Sequence, residues 1–224
     1  MKKNICFFIV ILTFLIISII CINNLYSNNS GEKKENVEMI QEEIIEILNK
    51  EDEVVAIVNN QTLTKKDVEW TKFFNDEMND DEAVLETVEK NILFEEAKKQ
   101  GIVISNDRKE YQESLIKGYQ EREYTDEFLK KINMTKDEYI ENIEKQINII
   151  TIVSEFKNNI YKDIVNNQLN CENEKVKKLV KEYPIKKEQF DNDEIEYVDL
   201  VNFRDSIITE YINYIISTYE IIYK

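Results

Sequence analysis

The sequence lacks histidine altogether, and its 224 residues include only three glycines and one proline. Histidine is the commonest general base at physiological pH and a member of the Ser-His and Cys-His catalytic arrangements, so its absence argues against those classes of enzyme. Few glycines and prolines argue against an all-β sandwich, which needs many tight turns. The composition favours a mainly helical chain without a catalytic site.

Cysteine is scarce as well. Cys6 and Cys21 lie in an apolar N-terminal stretch, which leaves Cys171 as the one thiol of the remaining chain. One thiol cannot build an internal disulfide framework, and a zinc motif would need histidines or a cysteine pair at ligand spacing. The sequence also contains no glycine-rich phosphate loop. It therefore predicts neither a metal nor a cofactor.

Basic residues are outnumbered by acidic ones. The chain has 29 lysines and arginines against 45 aspartates and glutamates, which gives a formal net charge of -16. Such a chain repels the phosphates of nucleic acids and the headgroups of anionic lipids. We therefore exclude DNA and RNA as partners.

The N-terminus carries the only long hydrophobic run. Lys2 and Lys3 precede an uncharged, mostly apolar stretch over residues 5–22. The run predicts an uncleaved signal-anchor over residues 1–22 that keeps the lysines cytoplasmic and places the remaining chain outside a cell membrane as a single-pass protein. Two alternatives stay open, namely cleavage near Ser27, which would release a secreted protein, and lipidation of Cys21.

The next segment, residues 23–52, divides into two parts. Residues 23–36 are polar and rich in Asn, Ser and Lys, which predicts a linker next to the membrane. Residues 38–49 place isoleucines among acids, as a short amphipathic helix does.

A strand, a turn and a helix are predicted from residue 54 onward. Val54–Val58 is an apolar, β-branched run typical of a short buried strand. Asn60 is expected to adopt a positive φ in the turn that follows, where glycine often stands. Thr64 is expected to cap a helix with its hydroxyl, and Asp67 suits the first turn of that helix.

A second helix is predicted over residues 81–100, ended by Gly101 in left-handed geometry. Its expected buried face consists of Val84, Leu85, Val88, Ile92, Leu93 and Ala97.

Two motifs in this region resemble the SurA/PrsA-type extracytoplasmic chaperones. Residues 58–68 read Val-Asn-Asn-Gln-Thr-Leu-Thr-Lys-Lys-Asp-Val, and residues 92–105 read Ile-Leu-Phe-Glu-Glu-Ala-Lys-Lys-Gln-Gly-Ile-Val-Ile-Ser. The first is similar to the opening of that family's N-terminal domain, and the second to its Ala-Lys-Lys-x-Gly-Ile-x-Val-Ser helix end. The resemblance covers roughly residues 53–180, and Asn60 departs from it by replacing the usual glycine.

The resemblance implies a helical domain over residues 53–183 that binds unfolded chains. In that family a parvulin prolyl-isomerase domain commonly follows, but residues 184–224 are too few and lack its histidines and glycines. We therefore expect the chaperone domain without the isomerase.

Further helices are predicted along the rest of the chain. A stripe of apolar residues marks the longest of them, which Thr135 and Glu138 begin with a capping box, and this stripe is expected to be core rather than a client groove. Pro184 is expected to end the last helix of the domain. The predicted helices are residues 107–122 behind a Ser105 cap, 125–133, 136–167 and 170–183. The apolar face of the first of them is Tyr111, Leu115, Ile116 and Tyr119, and the stripe of the longest is Ile140, Ile143, Ile147, Ile150, Val153, Phe156, Ile160 and Ile164.

The C-terminal part, residues 184–224, is expected to complete the domain. Residues 194–201 alternate in part and predict a strand that pairs with Val54–Val58. Residues 206–223 are apolar and aromatic almost all round, which indicates a helix that is either core or an interaction surface.

The expected fold is thus mainly α, with one or two short strands and a preceding transmembrane helix. The expected function is a membrane-tethered chaperone that holds unfolded or newly exported polypeptides without catalysis. The alternative is a structural module that docks a specific envelope partner. Candidate client contacts, chosen for their aromatic rings, are Trp70, Phe73, Phe74, Tyr111 and Tyr119.

Overall fold

A computed structural model describes residues 30–49, 52–73, 75, 78–122 and 124–224, with side chains from residue 39 onward. The chain forms two compact units, Met1–Lys50 and Glu51–Lys224. The predicted signal-anchor and Phe74 lie outside the described residues. The elements are α1 (Ser30–Asn49), β1 (Val54–Val58), β2 (Gln61–Thr64), α2 (Lys65–Phe73), α3 (Asp80–Lys99), α4 (Asn106–Gln120), α5 (Asp126–Lys131), α6 (Lys136–Val165), α7 (Glu174–Asp191), α8 (Tyr197–Ser217) and β3 (Ile221–Tyr223). The prediction of a mainly helical chain is confirmed.

The first unit contributes α1, which is longer than predicted. The helix begins at Ser30, so part of the predicted polar linker is helical. Its Glu, Lys and Met residues have high helix propensity, and this accounts for the extension. Ile44, Ile47 and Leu48 are buried at the spacing of a single helix face, as the amphipathic pattern predicted.

The second unit begins with a β-hairpin. Asn59 and Asn60 take φ values of 45° and 69° between β1 and β2, so the positive φ predicted for Asn60 is confirmed. β2 was not predicted, because its residues are polar where they face solvent. Thr64 ends β2 and directly precedes α2, which is the predicted cap position, and Asp67 lies in the first turn as predicted. The bond differs from the predicted one, because the Thr64 N–H and hydroxyl both donate to the Asp67 carboxylate, at 2.8 and 2.9 Å.

β1 is the central strand of a three-stranded sheet with the order β2-β1-β3. The strand that pairs with its free edge is β3, where Val58 lies opposite Ile221. The prediction of a strand over residues 194–201 was wrong, because α8 begins at Tyr197. The Glu196 N–H donates to the Asp199 carboxylate at 3.2 Å, which stabilises this helix start.

The core lies between the sheet and helices α3, α6 and α8. α3 packs against β1, α6 and α8, and α7 packs against α8. The predicted core role of the α6 stripe is confirmed for most of its residues, but Ile150 is exposed and Ile149 is buried in its place. On α3, Leu85 is 57% exposed, and Ala83 and Thr87 complete the buried face. The C-terminal segment is core too, since α8 buries Ile207, Tyr211, Ile212 and Ile215.

Pro184 does not end a helix. α7 runs through it from Glu174 to Asp191, so the predicted stop was wrong. A proline inside a helix removes one backbone hydrogen bond and costs about 3 kcal/mol. Buried Tyr183 and partly buried Phe190 pack against the core on either side of it, and this packing stabilises the continuous helix.

None of the helices among the described residues is long and apolar enough to cross a membrane. The predicted spanning segment falls on residues that the structure does not describe.

Candidate interaction surface

Helix α4 carries a half-covered apolar side. Tyr111, Leu115, Ile116 and Tyr119 recur at helical spacing along one side of it. Each of the four is half-buried, and α4 contains no fully buried residue. α6, in contrast, buries eleven of its residues. We call these four residues the α4 apolar side.

α4 lies antiparallel to the middle of α6. Near the start of α4, Arg108 Nη1 donates to Ser154 Oγ at 2.5 Å, and at its end Gln120 Nε2 donates to Glu144 Oε1 at 3.2 Å. These polar contacts fix the register of the two helices. They also leave the apolar side of α4 only partly covered by α6.

Glu155 anchors the N-terminal end of α4. This carboxylate is 3% exposed, and its Oε2 lies 2.8 Å from Arg108 Nε. Ser105, which precedes α4, makes no capping bond with its side chain, contrary to the prediction. Its hydroxyl donates to Glu155 Oε2 at 3.4 Å instead. A buried carboxylate needs such partners, because an unpaired buried charge is strongly destabilising.

Three aromatic rings hold the other end of α4. Tyr124, Phe128 and Tyr139 pack with ring centroids 5.1 to 5.8 Å apart. The Tyr124 hydroxyl donates to the Tyr119 carbonyl at 2.9 Å, which ties this cluster to the end of α4. Burial raises the pKa of Tyr124 to about 12 and also raises the pKa of Tyr139, so both phenols are neutral at physiological pH.

Charged side chains of both signs surround the α4 apolar side. The Arg122 guanidinium lies 4.5 Å from the centroid of the Tyr119 ring. Two exposed pairs, Lys109 with Glu113 and Lys117 with Glu121, follow the outer face of α4 at one-turn spacing. Such pairs contribute little to stability, and they keep the surface soluble around the aromatic rings.

The predicted client contacts fall on two helices. Tyr111 and Tyr119 lie together on α4, two turns apart. Trp70 and Phe73 lie on α2 with ring centroids 5.6 Å apart, and α2 packs against α3 and β2. Trp70 is 3% exposed, so its ring is core in this structure and is not available to a client. Phe73 is half-buried.

Leu115 and Ile116 were predicted to lie on the apolar face of this helix, but they were not among the predicted client contacts. The signal was their spacing from Tyr111 and Tyr119 on one helix side. Tyr124 was missed because it lies between helices and carries no periodicity of its own.

Two cavities of the described residues have volumes of 210 and 140 Å³, below the range of about 300–1,000 Å³ that small-molecule sites occupy. Among the described residues, no group of three or more Cys, Asp or Glu side chains could hold a metal ion.

Comparison of the chain with protein-family models, with curated proteins and with solved structures gives no match. The resemblance to the SurA/PrsA-type chaperones therefore rests on its two sequence motifs.

Proposed function

We propose that this protein is a membrane-tethered, extracytoplasmic chaperone-like protein that holds unfolded or newly exported polypeptides without catalysis. The observation that supports it best is the α4 apolar side, in which two tyrosines, a leucine and an isoleucine are all half-covered along one helix. Half-covered aromatic and aliphatic groups bind apolar segments of many sequences, because the hydrophobic effect is non-directional.

The area of this surface sets a weak affinity. A client segment that covers roughly 250 Å² of apolar surface gains about 6 kcal/mol at about 25 cal/mol per Å². Association costs at least about 4 kcal/mol in lost freedom of motion. The net free energy corresponds to weak, rapidly reversible binding, which is what holding and release of unfolded chains require.

The charge of the protein biases the choice of client. With a formal net charge of -16, the chain attracts basic clients and repels acidic ones at low ionic strength. The same charge keeps a complex with an apolar client in solution.

Docking of one specific partner through residues 206–223 is the alternative function. Ile207, Tyr211 and Ile215 of that segment are buried against the core, so they offer little surface to a partner. The chaperone proposal is therefore the one that the half-covered α4 apolar side supports.

Suppression of aggregation by the full chain tests the proposal. Two unrelated proteins, one basic and one acidic, are unfolded by heat, and light scattering is followed with and without the chain. We expect both clients to be held, and the basic one more strongly at low salt.

A double variant of the α4 apolar side, Leu115→Ser with Tyr119→Ser, should lose most of this effect while its far-UV circular dichroism stays unchanged. The matched control is Leu85→Ser, which removes an exposed leucine from α3. If neither client is held by the folded wild-type chain, or if Leu85→Ser weakens holding as much as the double variant does, the proposal fails.

A further inference from the structure

A second feature of the surface is a cavity of 210 Å³ where the end of α3, the second half of α6 and the middle of α8 meet. Its lining is mixed, with apolar residues that include Ile102, Phe156 and Leu169 beside polar ones that contribute about as much surface. Phe156 is 1% exposed and belongs to the main core, whereas Ile102 and Leu169 are half-buried. The cavity is thus a pit in the core surface.

The size of the pit matches one large apolar side chain. An apolar cavity of about 150 Å³ is sufficient to bind benzene, so 210 Å³ accommodates a phenylalanine ring or a leucine side chain. It is too small for most drug-sized ligands, which occupy about 300 Å³ or more.

Polar side chains border the pit, and its two charged ones, Lys162 and Asp163, have opposite signs. Asn159 and Asp163 lie one turn apart on α6 and border the cavity together with Tyr211. Within the described part of the chain, the side chains of Asn159 and Asp163 make no hydrogen bond or ion pair. Both residues are half-buried. The rim therefore offers an unpaired carboxylate and an unpaired amide beside the pit.

Other charges near the rim are already engaged. Lys162, which also borders the cavity, lies 3.9 Å from the Glu155 carboxylate. Burial is the main cause of the raised pKa of Tyr211, and neighbouring negative charge that includes Asp163 adds to it. The phenol is therefore neutral, and the Asp163 carboxylate lies close enough to interact with it.

We propose that this pit binds one apolar side chain of an extended client, and that Asp163 pairs with a lysine or arginine two residues further along the same client. In an extended chain, side chains at positions n and n+2 project from the same side, about 6.6 Å apart. The preferred client segment is therefore apolar-x-basic. The inference rests on the proposed function, since it names the segment that such a chaperone selects.

The unpaired Asp163 carboxylate favours a basic client segment over an acidic one. An acidic segment would meet the unpaired Asp163 carboxylate on a chain whose formal net charge is -16. A basic residue next to the apolar anchor supplies the ion pair that Asp163 lacks, and the Asn159 amide is placed to bond a client backbone.

Short labelled peptides and the full chain test the selectivity. Fluorescence anisotropy is measured at low salt for peptides of one length that contain Phe-x-Lys, Phe-x-Glu or Ala-x-Lys, with polar residues elsewhere. We expect Phe-x-Lys to bind most tightly.

Asp163→Asn, which keeps the size of the side chain, should weaken Phe-x-Lys about fivefold, as a partly exposed ion pair implies, and leave Phe-x-Glu unchanged or slightly tighter. The matched control is Glu141→Gln, which removes an exposed carboxylate from the same helix. Leu169→Trp, which fills the pit, should weaken both phenylalanine peptides and leave Ala-x-Lys unaffected.

The outcomes separate this inference from the proposed function. If aggregation is suppressed but the peptides bind equally, or if Asp163→Asn retains the preference for Lys, the pit is not the selective site and the chaperone proposal stands. If the peptides show the expected order but no aggregating client is held, the pit is confirmed as a peptide site and the chaperone proposal fails.

Discussion

Removal of the Arg108 side chain is the perturbation whose effect the structure predicts most directly. Arg108 is the main partner of the Glu155 carboxylate, at 2.8 Å, and its own side chain is 25% exposed. Arg108→Met keeps an unbranched apolar side chain and removes the charge. The carboxylate then retains Ser105 Oγ at 3.4 Å and Lys162 Nζ at 3.9 Å, and that lysine is largely exposed.

The expected loss in the free energy of unfolding follows from how deeply the two charged groups are buried. Removal of one partner of a fully buried ion pair costs about 3–5 kcal/mol. Because Arg108 is partly exposed and two weaker partners remain, we expect the free energy of unfolding to fall by about 2–3 kcal/mol. For a chain of this size, that loss lowers Tm by roughly 5–10 °C.

Urea denaturation of wild type, Arg108→Met and Lys109→Met measures the effect. Lys109 is the matched control, because it follows Arg108 in α4 and forms a solvent-exposed ion pair with Glu113 at 3.9 Å. Its substitution should change the free energy of unfolding by less than about 0.5 kcal/mol. The double variant Arg108→Met with Glu155→Met removes both charges and should be more stable than Arg108→Met alone.

The reasoning is refuted if Arg108→Met is no more destabilising than Lys109→Met. It is refuted equally if the double variant is no more stable than Arg108→Met alone, because Glu155 would then not depend on Arg108 for its burial.

Three further predictions concern the Asn60 turn, Pro184 in helix α7 and the aromatic cluster around Tyr124. Asn60→Ala should lower stability by about 1 kcal/mol because φ at this position is 69°, whereas Asn60→Gly should be neutral in the same urea assay. Pro184→Ala should raise the urea midpoint, since α7 gains about 2 kcal/mol from a restored hydrogen bond; a lower midpoint would contradict this. In the folded chain Tyr124 should ionise only near pH 12, while unfolded tyrosines ionise near about 10. Its contribution to stability is therefore complete below about pH 10 and lost as pH rises to about 12. The phenolate absorbance of wild type and Tyr124→Phe, followed as pH rises, measures the pKa of Tyr124. Ionisation of Tyr124 near pH 10 in a folded chain would show that burial does not raise its pKa.

Elements whose signals lie within a few residues could be predicted from the sequence. The start of α6 is one, because Thr135 and Glu138 cap each other's backbone groups locally. The β1 strand and the Asn60 turn are others, since both depend on adjacent residues. In each case the neighbouring sequence alone determines the conformation.

Elements that depend on distant parts of the chain could not be predicted. β3 forms because Ile221–Tyr223 pairs with the edge of β1. The sequence pattern of the same residues predicted the end of an apolar helix instead. α7 continues past Pro184 because its second half packs on the core, which a local rule for proline cannot include.

The candidate surfaces were predictable only in part. The periodicity of α4 indicated an apolar side, but how far α6 covers it depends on the register that Arg108 sets with Ser154. The pit needs Ile102, Phe156 and Tyr211, which come from three separate segments. Their proximity is a property of the packing of α3, α6 and α8, and no spacing along the chain shows it.

The way α4 is held connects stability with the proposed function. Its two ends are fixed by specific contacts, Arg108 with Glu155 at the start and Tyr124 with the Tyr119 carbonyl at the end. Between them the apolar side adds little buried area to the core, because no residue of α4 is fully buried. A helix held at its ends keeps half-covered apolar groups in a fixed place without the core burial that would hide them. Polar anchoring is therefore what allows this surface to stay apolar and only half-covered in a stable fold.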